Sequence, residues 1–238
     1  MRKGFRVLGA LGADEMTQKI DIRTGDTAVH VDQALQWIRS GLIIAAPLEN
    51  GYAYLADAFD HDAVRAMHVM RGDALGIVSQ VLISGQEVID GIAREVSPNA
   101  RALMSTFWPG QLTFNLYPQR GLSWDLGDDK HLDRVSVRVP SAPFVLALLG
   151  KSGPLAVASA APAGTPPLIN AFDISAREYD LAGIFDAGVL IQAPSSTIVS
   201  DGEPGIELIR EGAVTLHQLQ ELVPDIIVSG SANPKPRE

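Results

Sequence analysis

The sequence alternates amphipathic helical patterns with short runs of consecutive apolar residues. In the first helical pattern, four apolar residues recur at the spacing i, i+3, i+4 and i+7 that places them on one helix face, namely Val31, Ala34, Leu35 and Ile38. The run 42–46 follows closely, and a strand that is apolar at every position is typical of one buried on both faces of its sheet. A helix that packs beside such a strand predicts a protein built from layers of helices and sheet.

Capping and turn residues predict where the other elements begin and end. Asp26 or Thr27 can cap the first helix. Asp60 can cap the second, and Ser97 precedes a proline that is typical of a first helical position. Pro47 is expected to end the first buried strand. Further strands are predicted at 77–83, 112–117, 135–139, 155–158, 197–199 and 207–209 and near residue 189, helices at 144–149, around 176–182 and at 215–222, and a loop at 160–171.

The chain is expected to form one domain with two terminal segments. Residues 1–26 mix polar residues and glycine without periodicity and are expected to lie outside the core as an amino-terminal extension. The polar, proline-containing tail 223–238 is expected to do the same. No internal repeat and no change of composition divides residues 27–222. For a chain of 238 residues, a single domain on a large mixed sheet is therefore the expected organisation.

Composition excludes several classes of protein. The formal net charge is −9, so any site for an anion or a nucleic acid must be a local patch. Cysteine is absent, which excludes disulfides, thiolate nucleophiles and cysteine-based zinc sites and fits a cytoplasmic protein. The apolar stretch after Met1 is too short and too rich in glycine for a secretion signal. No run reaches the roughly 18 apolar residues of a membrane span.

The common catalytic and binding motifs are missing. The sequence contains no P-loop, no glycine pattern for dinucleotides and no zinc-protease motif. His61 and His68 lie on one predicted helix but are expected to form a solvated face, because zinc needs three or four convergent ligands. The sequence therefore predicts no metal site.

Three segments are hard to explain by packing alone. Residues 107–113 end a helix with an aromatic pair, turn at Pro-Gly and open a strand. The small-residue loop 158–164 follows a buried strand, at the kind of position where ligands bind in open α/β sheets. Hydroxyl groups at 195–197 precede Arg210, and hydroxyls close to an arginine can bind an oxyanion.

Taken in order, these segments resemble the YrdC family, the threonylcarbamoyl-AMP synthase domain. Residues 107–113 are similar to the family's F-W-P-G-P-L-T, and 135–140 to its V-x-V-R-x-P. Residues 196–199 and 210–213 are similar to S-T-I-V and L-R-x-G. The resemblance covers roughly 28–218. It implies an α+β fold of the YrdC/RibB-like type, a large twisted mixed sheet flanked by helices, with a concave basic cleft.

The resemblance also implies an activity and a set of binding residues. Members of the family combine L-threonine, bicarbonate and ATP into threonylcarbamoyl-AMP, release pyrophosphate with the help of Mg²⁺, and so begin threonylcarbamoyladenosine modification of tRNA. The cleft positions of the family correspond here to Arg71, Thr113, Arg138, Ser159, Ser196 and Arg210. The arginines at 138 and 210 would hold phosphate or carboxylate by bidentate hydrogen bonds, and no residue is assigned a catalytic role. The family is also associated with tRNA and double-stranded RNA, which makes RNA a further predicted partner.

Three departures from the family pattern leave two interpretations open. P-T-[DE]-T-V-Y-G-L appears as the segment 47–54, which lacks both threonines, and the asparagine of S-x-N is Ala161. The second cation of K-x-R-P is Asp73, which is expected to repel a triphosphate. Either the synthase reaction persists with substituted residues, or the domain has lost ATP chemistry and binds a small molecule, a nucleotide or RNA.

Overall fold

A computed structural model describes residues 17–129, 131–175 and 181–228. Within these ranges, twelve strands form one mixed sheet in the order β1-β9-β2-β3-β8-β4-β7-β6-β10-β11-β12, and β5 pairs with β6. The strands are β1 Gln18–Asp21, β2 Ile43–Leu48, β3 Gly51–Asp57, β4 Gln80–Leu82, β5 Ala93–Arg94, β6 Leu112–Pro118, β7 Val135–Arg138, β8 Leu155–Ser159, β9 Leu181–Asp186, β10 Thr197–Gly202, β11 Gly205–Arg210 and β12 Ile227–Val228. The predicted large mixed sheet is confirmed.

Helices accompany the sheet along the chain, and their predicted caps are present. In the described ranges they are α1 Thr27–Arg39, α2 His61–Arg71, α3 Ile89–Ile92, α4 Pro98–Phe107, α5 Pro143–Ser152 and α6 Leu216–Gln220. Asp26 caps α1, Asp60 caps α2 and Ser97 caps α4, each by accepting a hydrogen bond from a backbone N–H of the first turn. Among the described residues, no helix is long and apolar enough to cross a bilayer.

Alternate residues of the central strands face two separate cores. On β3, Tyr52 and Tyr54 belong to one buried cluster, and Ala53 and Leu55 belong to the other, because successive side chains of a strand point to opposite faces. Helices α2 and α4 contribute to the first cluster, and α1 and α5 contribute to the second. Burial on both faces explains why these strands are apolar at every position.

Strands β2 and β3 form a hairpin that turns at residues 49–50, and β2 continues through Pro47. The prediction that Pro47 ends the strand is wrong. Pro47 lies opposite Tyr52, whose N–H donates at 2.7 Å to the carbonyl oxygen of Leu168, outside the hairpin. The nitrogen of Pro47 therefore points away from β3, on the side where β9 pairs only as far as Ala45. No hydrogen bond of the sheet is lost at the proline.

The sheet extends beyond both boundaries predicted for the domain. β1 lies within the predicted extension 1–26 and pairs in parallel with β9. β12 lies within the predicted tail 223–238 and pairs in parallel with β11. β1 is mostly exposed and β12 has two residues, so neither carries an apolar run long enough to reveal a strand. The extension and the tail each contribute an edge strand.

Strand β9 corrects two predictions. The helix predicted around 176–182 is wrong at its end, since Leu181 and Ala182 belong to β9; residues 176–180 lie outside the described ranges. The strand predicted near residue 189 is also wrong, because β9 ends at Asp186. β9 lies between β1 and β2 and pairs with both, and a Cβ on Gly183 would lie 2.4 Å from the Trp37 ring. Sheet pairing and close contact with α1 determine this conformation.

Candidate functional site

A cavity of about 250 Å³ opens where the ends of several strands meet. β7 runs antiparallel to β6, β8 to β3 and β11 to β10. The carboxyl ends of β7, β8 and β11 therefore lie beside the amino ends of their partner strands. We call this cavity the central pocket. It brings together four of the six predicted binding residues, namely Arg138 from β7, Ser159 from β8, Ser196 just before β10, and Arg210 from β11.

Thr113 lies behind the wall of the central pocket. Its hydroxyl donates to Ser196 Oγ at 3.0 Å and accepts from Gln80 Nε2 at 2.7 Å, and the residue is fully buried. Thr113 therefore orients the Ser196 hydroxyl that lines the pocket. The next hydroxyl, Thr197, is also buried and accepts from the N–H of Val214 at 3.0 Å, so it ties β10 to the loop after β11.

Arg210 supplies a guanidinium without a carboxylate partner among the described residues. Its Nη2 donates to the carbonyl oxygen of Ser196 at 2.7 Å, and the residue is exposed at the pocket. A single such bond leaves most of the five N–H donors of an arginine available. Arg210 is therefore suited to bind a phosphate or carboxylate group in two-point contact.

Arg138 supplies a second guanidinium, which is buried and already paired. Its Nη1 donates to Glu49 Oε2 at 2.8 Å and to the carbonyl oxygen of Gly110 at 3.3 Å. The side chain is only 4% exposed, and its Nε–H has no hydrogen-bond partner among the described residues. Arg138 lines the central pocket, but Glu49 compensates its charge.

Arg71 lies beside the central pocket rather than in its lining, and the protein itself occupies its guanidinium. Its Nε donates to Asp73 Oδ2 at 2.9 Å, and its Nη1 donates to the carbonyl oxygen of Ser159. Its own carbonyl oxygen accepts from the N–H of Ala163 at 3.2 Å. Arg71 therefore ties α2 to the loop that follows β8. It contacts the backbone of Ser159 but does not itself line the pocket.

The Asp73 carboxylate is directed at neighbouring side chains of the protein. Its Oδ2 lies 2.9 Å from both Arg71 Nε and His68 Nδ1, and the side chain is 3% exposed. Burial acts to raise the pKa of Asp73, but the hydrogen bonds from Arg71 and His68 outweigh it and lower the pKa below its ordinary value. Arg71 therefore compensates the charge of Asp73, and the repulsion of a triphosphate by Asp73 stays a prediction.

His68 also differs from its sequence-based interpretation. Besides Asp73, it contacts the carbonyl oxygen of Leu126 and the hydroxyl of Ser79 through Nε2, at 3.0 and 2.9 Å. The expectation of a solvated face holds for His61, whose side chain is 53% exposed, but is wrong for His68, whose side chain is 12% exposed.

Comparison with known proteins places the chain in a family. The Sua5/yciO/yrdC family model, described as "Telomere recombination", matches residues 36–212, which is most of the chain. The chain belongs to the Sua5/YciO/YrdC family. The predicted resemblance is therefore confirmed, and Arg71, Thr113, Arg138, Ser159, Ser196 and Arg210 all lie within the matched region.

The matches between this chain and its relatives cover different shares of the relatives' lengths. A Mycobacterium tuberculosis protein named provisionally as a threonylcarbamoyl-AMP synthase is 32% identical over 187 residues, which cover 78% of this chain and 85% of the relative. The threonylcarbamoyl-AMP synthase of Bacillus subtilis is 33% identical over 204 residues, which cover 83% of this chain and 58% of the relative. The crystal structure of Pyrococcus abyssi Sua5 complexed with L-threonine superposes with a TM-score of 0.79 at 25% identity, covering 94% of this chain and 65% of the Pyrococcus chain. The chain thus spans less than two thirds of the Bacillus and Pyrococcus proteins.

Three amide side chains line the central pocket in addition to the residues carried over from the Sua5/YciO/YrdC pattern, namely Asn50, Gln80 and Gln111. Gln111 Nε2 donates to the carbonyl oxygen of Pro194 at 3.1 Å, across the pocket mouth. The sequence carries a signal for two of them. Gln80 is polar within a predicted apolar strand, and Gln111 replaces a proline of the family pattern. Neutral donors and acceptors therefore accompany the two arginines.

Proposed function

We propose that the chain is a threonylcarbamoyl-AMP synthase that acts at the central pocket. The observation that carries the proposal is the convergence of Arg138 and Arg210 with the hydroxyls of Ser159 and Ser196 in one cavity. The named relatives and the threonine-bound Pyrococcus structure support L-threonine and ATP as substrates. The predicted cytoplasmic location is part of the same proposal.

The proposed reaction requires that the protein position the substrates and stabilise negative charge, and it needs no covalent bond between protein and substrate. The amino nitrogen of L-threonine bonds to the carbon of bicarbonate with loss of water. An oxygen of the new carbamate group then attacks the α-phosphorus of ATP. The bond between the α-phosphorus and the oxygen that bridges it to the β-phosphate breaks, and pyrophosphate leaves. Negative charge develops on phosphate oxygens, which guanidinium groups and N–H donors stabilise. Arg210 would donate to such oxygens, and Ser159, Ser196 and the amides would orient the threonine portion.

The described residues do not fit a Mg²⁺ site of the protein's own. Among them, no group of three or more His, Asp or Glu side chains could hold a metal ion. Glu49, the carboxylate that pairs with Arg138, already accepts hydrogen bonds on both oxygens. Mg²⁺ therefore enters the proposal only with ATP, whose phosphates bind it in many enzymes.

One observation favours a second candidate, a binding protein of this fold without ATP turnover. Of the three arginines carried over from the family, Arg71 and Arg138 are paired with Asp73 and Glu49. Only Arg210 is uncompensated among the described residues of the pocket, whereas a triphosphate carries several negative charges. Such a pocket favours a ligand with one negative charge over a free triphosphate.

RNA remains a predicted partner for either candidate. The net charge of −9 gives it no general attraction for phosphate backbones. If tRNA or double-stranded RNA binds through phosphate contacts, its affinity falls steeply as salt rises. An affinity that does not change with salt would contradict this mode of binding.

The proposed function is tested by pyrophosphate release from the full chain supplied with L-threonine, bicarbonate, ATP and Mg²⁺. We expect release that requires threonine. Arg210→Ala should reduce it at least about ten-fold, because charge-assisted hydrogen bonds contribute about 1.5–3 kcal/mol. Arg39→Ala, at an exposed helix end, should not reduce it. Absence of threonine-dependent release, with threonine binding still detected by calorimetry, would overturn the synthase and favour the binding protein.

A further inference from the structure

Glu49, which stands at the acidic position of the family's P-T-[DE]-T-V-Y-G-L segment, forms a hydrogen-bond network at the edge of the central pocket. It lies in the turn between β2 and β3, and its Oε2 accepts from Arg138. Its Oε1 accepts from the N–H and the hydroxyl of Ser141, at 2.6 and 3.0 Å. Burial acts to raise the pKa of Glu49, but the charge of Arg138 and these hydrogen bonds outweigh it and lower the pKa below its ordinary value. The carboxylate is therefore ionised at neutral pH.

The contacts of Arg138 restrict a side chain that is normally mobile. A free arginine samples many rotamers, and ordering it costs conformational entropy. Here Nη1 is bonded to Glu49 and to the Gly110 carbonyl oxygen, and Nε is buried. The part of Arg138 that lines the central pocket is thus held by contacts made outside the pocket. Residue 49 is 89 positions away in sequence, so the fold itself creates this restraint.

Glu49 lines a second cavity, whereas its partner Arg138 lines the central pocket. That cavity has a volume of about 470 Å³ and is lined by Glu49, Ser141 and Phe144, among mostly apolar groups. Leu48 lines both cavities. Truncating Glu49 would therefore change the wall as well as the charge. A glutamine, which has the same shape, removes the charge alone.

We propose that Glu49 is a positioning residue that fixes the guanidinium of Arg138 for contact with an anionic group of the substrate in the central pocket. The kinetic part of this inference rests on the proposed synthase function. The structural part, that Glu49 immobilises Arg138, does not. The two parts have separate readouts.

The structural readout is the Nε–H signal of Arg138 in ¹⁵N nuclear magnetic resonance spectra, assigned by its loss in Arg138→Lys. In the wild-type chain this buried proton should exchange slowly with water. In Glu49→Gln its exchange should accelerate at least about ten-fold, since a charge-assisted hydrogen bond is lost. Glu221→Gln, which removes an exposed carboxylate on α6's carboxyl side, should leave the signal unchanged.

The kinetic readout is the split between KM and kcat for pyrophosphate release. Glu49→Gln should raise the KM of the substrate that Arg138 contacts about ten-fold or more and change kcat less. Glu49→Asp should recover most of the loss, because it restores the charge. Glu221→Gln should match the wild type in both constants.

The outcomes separate this inference from the proposed function. If Glu49→Gln keeps the wild-type exchange rate and KM, the positioning role is wrong. If the wild type releases no pyrophosphate, the synthase proposal fails, while the exchange measurement still decides whether Glu49 holds Arg138. If Glu49→Gln does not fold, the wild-type chain supplies the second measurement: an Arg138 Nε–H that exchanges as fast as the Nε–H of the exposed Arg39 would also contradict the proposal.

Discussion

Replacing Asp73 by asparagine should destabilise the protein through Arg71. The Asp73 side chain is 3% exposed, Arg71 is 14% exposed, and their ion pair spans 2.9 Å. Asparagine keeps the shape of the residue but leaves a nearly buried guanidinium without its counter-charge. Removing one partner of a buried pair costs about 3–5 kcal/mol, and the exposed fraction of Arg71 places this site at about 3 kcal/mol.

Urea unfolding measures this loss directly. With a slope of about 3 kcal/mol per molar urea, a loss of about 3 kcal/mol lowers the midpoint by about 1 M. Asp129→Asn is the matched control: Asp129 is 88% exposed and lies 3.7 Å from Arg65, so its loss should cost less than about 1 kcal/mol. Equal midpoints for Asp73→Asn and Asp129→Asn would refute the conclusion that Asp73 compensates a buried cation.

The contact between Asp73 and Arg71 also makes the stability of the protein depend on pH in a predictable direction. The folded state lowers the pKa of Asp73 from its ordinary value of 3.8. Because the pKa of Asp73 is lower in the folded state than in the unfolded state, its ionised carboxylate stabilises the folded state at any pH above the unfolded-state pKa. This stabilisation is lost as pH falls through the folded-state pKa. The stability difference between wild type and Asp73→Asn should therefore shrink as pH falls below about 4. A difference that grows below pH 4 would contradict the assignment.

Two further predictions concern the central pocket and its hairpin. Arg210→Ala should weaken ATP binding, measured by calorimetry, at least about ten-fold relative to Arg39→Ala, and equal affinities would exclude a phosphate contact of Arg210. Gly51→Ala should destabilise by about 1–3 kcal/mol, because its φ is +149° and an added Cβ would lie 2.7 Å from Pro167 Cβ. Gly150→Ala should instead stabilise by about 0.5–1 kcal/mol, because Gly150 lies in helix α5 and no described atom lies within 4 Å of an added Cβ. Denaturant midpoints that rise in both variants, or fall in both, would contradict this reasoning.

The sequence predicts the central strands and their helices because burial on both faces leaves a plain signature. β2 and β8 are runs of apolar residues, and Ser97 marks the start of α4 through its cap. β3 carries a similar apolar pattern but is absent from the predicted strands. The edge strands β1 and β12 have no such pattern. Each pairs with a strand on one side only and is partly open to solvent, so its side chains do not all have to be apolar.

Residue types at the site could be predicted from the sequence, but their partners could not. Four of the six carried-over residues converge in the central pocket, because the strand ends that bear them do. Arg138 and Glu49 are far apart in sequence, so their pairing depends on the β2–β3 hairpin meeting β7. Arg71 and Asp73 are two residues apart, yet only the structure shows that their charges satisfy each other at the end of α2.

The synthase proposal is tested most directly by its product. The full chain should convert L-threonine, ¹³C-bicarbonate, ATP and Mg²⁺ into a compound whose mass equals AMP joined to threonine through one labelled carbonyl carbon. Its amount should equal the pyrophosphate released, and omission of threonine should abolish both. Binding of L-threonine at the central pocket without any labelled adenylate would contradict the proposal that this pocket supports the synthase reaction.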